Sequence, residues 1–234
     1  MTNMLAYTAP KKLCATIVTV FLFMSPVLYK SAICHGIVRN SKHTQSHEIV
    51  TKKVTVVLKS TSVKNAVHAL ANRANIPIGF VGVSGEDGKP KQIMLRAVQE
   101  TVGEILDYIV KADDRYKWEV VGGIINVSPV LQTDCISELR IDYVRLHEVE
   151  ILSVGSAILD SPRVRKELQS RGKLKTDELN YSGRPIKNAK ISTVLSDTTI
   201  RDGLNTFLSS GYARFWAIET FGIKDEFVRI ILFD

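Results

Sequence analysis

Residues 101–118 read TVGEILDYIVKADDRYKW, and residues 199–216 read TIRDGLNTFLSSGYARFW. Each stretch opens on a threonine suited to cap a helix, Thr101 or Thr199. An acid follows three residues later, Glu104 or Asp202, placed to return the hydrogen bond. Leu106 and Leu204 then coincide, and Trp118 and Trp216 each stand seventeen residues after their threonine, with no gap. Cap, acid and leucine recur in many helices, so they carry little alone. An ungapped match as far as a tryptophan is a stronger signal and predicts a repeated structural unit. Beyond each tryptophan come an apolar stretch, a glycine turn and a closing strand, IINVS at 124–128 and FVRIILF at 227–233. Both tryptophans therefore begin equivalent strands, and both are expected to pack on the preceding helix, where an indole buries a large apolar area.

Upstream of the first copy, VTVVLK (54–59) reads as a strand. Ser62 caps a helix over VKNAVHALANRA, with Val63, Ala66, Val67 and Leu70 on one face at three- and four-residue steps. Pro77 ends that helix, IGFVGV (78–83) and QIMLRAV (92–98) read as strands, and SGEDGKPK (84–91) between them is turn chemistry. Gly122-Gly123 supplies the positive φ that the final hairpin needs. The order is β-α-β-β-α-β-β. The second half repeats part of it: a strand at 139–146, a helix at 148–159, a further helix begun by Ser161-Pro162, a polar loop at 173–188 and a strand at 190–196. The fold class expected is α+β: two small βαββαβ-like modules, 53–130 and a degenerate 131–234, each a sheet with helices packed on one face.

The chain of 234 residues, 45% hydrophobic and 24% charged, is long enough to bury a core and is not the composition of a disordered protein. Lys11 and Lys12 precede an uncharged apolar run at 13–29, closed by Lys30. That pattern predicts a signal peptide or membrane anchor over 1–34. It places the remainder in the periplasm or outside the cell, anchored to the inner membrane with membrane contact through 13–29 if the segment is uncleaved. Residues 35–52 read as a polar tether. The formal charge of +7 falls to about +4 without the first 34 residues, too small an excess to imply nucleic acid. Cys34 and Cys135 could form a disulfide in an oxidising compartment, though one pair makes no framework.

Catalytic and metal-binding arrangements find no support in the residue order. His35, His43 and His47 lie in the polar tether, where solvated histidines are the simpler account. Gly79, Gly82 and Gly85 precede a strand rather than the helix N-terminus that a phosphate site requires. No catalytic residue, metal ligand or cofactor is expected, and the chain reads as a non-enzyme. The segment 163–175 instead gathers six basic residues, Arg163, Arg165, Lys166, Arg171, Lys173 and Lys175, against the single acid Glu167. They form a candidate partner-binding face or a solvated helix surface. The segment lacks the aromatic side chains that nucleic-acid binding uses.

Two stretches carry a family resemblance: VTVVLKSTSVKNAVHALANRANIPIGF and QIMLRAVQETVGEILDYIVKADDRYKWEVVGGIINVSP. Together they resemble the short N-terminal domain shared by secretins and TonB-dependent receptors, over about a third of the chain. The resemblance implies a periplasmic α/β module that docks onto other proteins. The second half resembles a degenerate relative of the same module, and pore formation and TonB-driven transport are not implied. The function expected is therefore a periplasmic protein-interaction or assembly module. An envelope hydrolase and a membrane-anchored structural protein of the envelope are the alternatives.

Overall fold

The computed structural model describes residues 47–83, 91–131, 135–175, 189–221 and 226–233. The described residues belong to one unit, 39–234. Its first half runs β1 (Lys53–Thr61), α1 (Val63–Ala74), β2 (Ile78–Val81), β3 (Ile93–Thr101), α2 (Val102–Ala112), β4 (Tyr116–Val121) and β5 (Ile124–Pro129). After a 3-10 turn at Ile136–Glu138, the second half runs β6 (Arg140–Glu150), α3 (Ile151–Leu159), α4 (Pro162–Ser170), β7 (Leu174–Lys175), β8 (Lys190–Thr199), α5 (Ile200–Ser209), β9 (Phe215–Phe221) and β10 (Phe227–Phe233). The class is α+β.

Local chemistry sets the element ends. The Ser62 hydroxyl accepts from the Asn65 amide at 3.4 Å to open α1, which closes on Asn75 in the left-handed region. At α2, Thr101 and Glu104 form a reciprocal capping box, and Thr199 accepts from the Asp202 amide at 3.1 Å to open α5. Gly122 and Gly123, both at positive φ, turn β4 into β5. Two expectations shift in the second half. The chain stays extended through Glu150, because a bulge with Glu148 at positive φ lets Val149 and Glu150 keep pairing with β8. Within the expected polar loop, Leu174 and Lys175 form a short strand, held where the Leu174 amide meets the Glu226 carbonyl.

The two halves repeat one set of pairings. β1 with β3, and β6 with β8, make separate antiparallel ribbons. Each ribbon carries a bulge beside a positive-φ residue, Ser60 or Glu148. Likewise β4 is antiparallel to β5 as β9 is to β10, and β2 runs parallel to β5 as β7 does to β10. The halves join where β2 runs parallel to β9, giving one six-stranded sheet in the order β4-β5-β2-β9-β10-β7. Sheet hydrogen bonds thus cross the division near residue 130.

In the first half α1 and α2 lie between the β1-β3 ribbon and one face of the sheet. In the second, α3 and α5 lie between the β6-β8 ribbon and the other face, and α4 packs on β6 and α3. One core gathers Leu70 of α1, Ile105 and Ile109 of α2, and Ile78, Phe80, Ile125 and Val127 of the sheet. The other gathers Ile151 and Ile158 of α3, Leu204 and Phe207 of α5, and Trp216, Ile218, Ile230 and Leu232. The halves also complete each other: Phe215 and Ala217 of β9 enter the first core, and Val81 and Ile124 enter the second. Burying both faces of the central strands in this way is what parallel pairing ordinarily requires.

Candidate functional site

The sheet ends on β4 at one side and on β7 at the other. Although β4 is the counterpart of β9, its surroundings differ. β9 is paired on both sides, by β10 and β2, whereas β4 has β5 as its only strand neighbour among the described residues. The backbone parity is the same in both. The Val130 amide donates to the Arg115 carbonyl at 2.8 Å, so the alternation of an antiparallel pair turns Lys117 and Glu119 towards β5 and Trp118 and Val120 away from it. In β9 the outward-turned groups meet β2, with the Ile78 amide on the Arg214 carbonyl at 2.9 Å and the Gly82 amide on the Ile218 carbonyl at 2.8 Å. The N–H and C=O groups of Trp118 and Val120 therefore occupy the positions that, in β9, hold a parallel neighbour.

The tryptophans show the same contrast. Trp118 Nε1 donates to Asp107 of α2 at 2.8 Å, and Trp216 Nε1 donates to Asn205 at the matching position of α5 at 2.9 Å. Asn205 in turn reaches Asn126 of β5 at 3.4 Å. One hydrogen bond thus orients both indoles. Trp216 lies over Gly79 of β2, so closely that a Cβ there would fall within its ring at Cζ2 and Cε2, and it is fully buried. Trp118 is only half-buried. The expectation of two equivalent core tryptophans is thereby revised: one ring is sealed by a glycine-bearing strand, and its counterpart flanks an edge with no further strand among the described residues.

A second concavity, of about 350 Å³, lies at the start of α1. It is lined by Lys64, Phe80, Arg115, Tyr116, Glu219 and Asp113, among others. Its charges answer one another. Lys64 and Arg229 both bind Glu219, at 2.7 and 2.8 Å, and Arg115 grips Asp113 through Nε and Nη2 at 2.8 and 2.7 Å. Burial pushes the Glu219 carboxyl up, but the hydrogen bond and charge of Lys64, with Arg229, outweigh it and hold the group below its ordinary value. Asp113 likewise sits low, with burial outweighed by Arg115 and Lys91. Burial also raises the Tyr116 phenol, which accepts from the Val83 amide at 3.1 Å. Ionised pairs locked together in this way brace the junction of α1, β2 and β9, and each carboxylate is already committed.

The basic segment is less bare than its sequence suggests. Arg163 binds Asp142 at 2.7 Å, Arg165 and Lys175 both bind Asp160 at 2.8 and 2.6 Å, and Arg171 binds Glu167 at 2.9 Å. Hydrogen bonds from Lys175 and Arg165 hold the Asp160 carboxyl below its ordinary value, and Asp142 raises Arg163. Lys173 is buried, and Lys166 is exposed on α4. Two of the answering acids, Asp142 and Asp160, lie before the segment, so a count within 163–175 misses them. Cys135 is half-buried with its sulfur 3.0 Å from the Ser137 hydroxyl, while Cys34, His35, His43 and the run 13–29 lie outside the described residues. Among the described residues, no cluster of His, Cys, Asp and Glu is arranged to hold a metal, and no helix is long and apolar enough to cross a membrane.

No protein-family model matches the chain, and no curated protein matches it. Sequence reasoning singled out the basic segment, and although a small sheet closed by a hairpin leaves an edge strand able to pair with another chain, it did not locate that edge at β4. The signals that could have located the edge were the repeat ending on Trp118 and Trp216 and the glycine of IGFV, but only pairing reveals that they meet differently in the two halves.

Proposed function

We propose that this chain is a non-enzymatic protein-interaction module of the periplasm that binds its partner by adding a strand to the edge of β4. The observation that carries the reading is β4, unmatched on its outer side among the described residues: its outward backbone groups stand where those of β9 hold β2. A row of unpaired donors and acceptors on a sheet edge is a template for another chain, with affinity from the main chain and selectivity from side-chain pockets. The apolar run behind Lys11 and Lys12 supports export, and the resemblance of 54–128 to the secretin and TonB-receptor domain supports docking. The charges of 163–175 are mostly engaged within the chain, which leaves Lys166 as the residue of that set best placed to steer an acidic partner.

The test combines compartment and edge. Protease should reach the chain in intact cells only after the outer membrane is opened. A photo-crosslinking residue at Lys117 should yield an adduct that disappears when Val120→Pro removes the outward amide. Proline is tolerated on an edge strand where its missing N–H faces away from the ladder, so folding should survive. Adducts that persist in the folded Val120→Pro variant, or a chain accessible only in lysed cells, would refute the reading.

A further inference from the structure

The geometry points to the kind of strand that β4 accepts: one running parallel to it, with glycine opposite Trp118 and an apolar residue opposite Val120. This inference rests on the edge-binding reading above and specifies its partner. Its template is the junction inside the chain. There β2 runs parallel to β9 with Gly79 opposite Trp216 and Val81 opposite Ile218. Trp118 and Val120 are the counterparts of Trp216 and Ile218 on an edge whose outward backbone parity is the same.

The glycine requirement comes from the indole. Trp118 is tied to Asp107 as Trp216 is tied to Asn205, so its ring is directed as that of Trp216 is, across the lane beside its own strand. In β9 that lane is filled by Gly79, and a Cβ at that position would overlap the ring. A side chain larger than hydrogen opposite Trp118 would have to displace the indole from its hydrogen bond. Side chains alternate along a strand, so the residue two beyond the glycine lies on the same face, beside Val120, and burial favours an aliphatic group there. The residues flanking the glycine point to the opposite face, where exposed Lys117 favours an acid before the glycine, while Glu119 is already paired with Arg201 at 3.5 Å and sets no charge after it. The recognised chemistry is thus an extended protein segment of the form acid–Gly–x–aliphatic, where x is any residue, with glycine as its selective element.

The full chain provides the test, with a peptide of residues 75–83, NIPIGFVGV, as the probe. The peptide lacks tryptophan and Trp216 is already fully buried, so a blue shift in the protein's emission reports binding at Trp118. A saturable blue shift is expected, weakened at least about tenfold when the peptide glycine aligned with Gly79 becomes valine, as an overpacked contact requires. The shift should vanish in the Val120→Pro protein, whose own stability in urea serves as the folding control. Equal affinity for glycine and valine peptides overturns the inference, as does binding that survives Val120→Pro or no binding at millimolar peptide. Concentration-dependent self-association abolished by Val120→Pro would assign the edge to a second copy and also overturn it. If the peptide fails while the Lys117 adduct still depends on Val120, the glycine rule falls alone; if the adduct fails too, the edge-binding reading falls with it.

Discussion

Replacing Gly79 by alanine tests the central contact of the fold. The added methyl would fall inside the ring of Trp216, a fully buried side chain held by Asn205 at 2.9 Å. Neither neighbour can yield easily, because Gly79 is fixed between β5 and β9 and the indole is packed in the second core. Overpacking of a tight core costs about 1–3 kcal/mol, and displacing the indole from Asn205 adds about 1 kcal/mol. The lower entropy of an unfolded chain with alanine returns about 0.5 kcal/mol. The expected loss is therefore about 1.5–3.5 kcal/mol. Trp216→Ala alone should cost about 3–5 kcal/mol, as a buried aromatic leaves a cavity. In that background the methyl of Gly79→Ala enters the vacated space and should cost almost nothing. Urea unfolding of the wild type, both single variants and the double variant should give a coupling of about 1.5–3.5 kcal/mol. Losses that add to within about 0.5 kcal/mol would refute the claimed contact. Trp118→Ala is the internal comparison: with its ring half-buried and no strand over it among the described residues, it should cost about 1–2 kcal/mol in the same assay.

Two further outcomes follow from local geometry. His68 lies against Phe215 and Phe233, with ring centroids 5.0 and 4.8 Å apart, and burial, then Lys64, lower its pKa. Folding therefore favours the neutral ring, so its stabilising effect is full above the ordinary histidine value of about 6.5 and is lost progressively as pH falls below that value and through the lower folded-state value. The urea midpoint should decline from pH 8 to pH 5, and His68→Leu should flatten that decline; an unchanged slope would exclude His68 as its source. At the cap of α2, Thr101→Ala should cost about 0.5–2 kcal/mol by urea unfolding, since the Glu104 amide loses its acceptor at 3.3 Å. A wild-type midpoint would show that the capping box contributes nothing measurable.

The sequence by itself determined the local features: the caps at Ser62, Thr101 and Thr199, the Gly122-Gly123 turn, the order of strands and helices, and the correspondence of Trp118 with Trp216. Each depends on residues a few positions apart, or on a pattern written twice, so it can be seen without knowing what lies opposite. The tertiary structure decided what those elements meet. IGFV reads as a buried strand with an unexplained glycine until β2 is placed between β5 and β9, where that glycine seats an indole from 137 positions further along the chain. RVRKELQSRGKLK reads as a bare cationic helix until Asp142 and Asp160 are brought against it. Two tryptophans equivalent in sequence differ in burial because, among the described residues, only Trp216 has a strand on each side of its own. Hydrogen-bond parity, strand order and the pairing of charges are set by contacts between segments far apart in the chain. The free energy that selects them comes from burying both faces of a shared sheet, which neither half accomplishes alone.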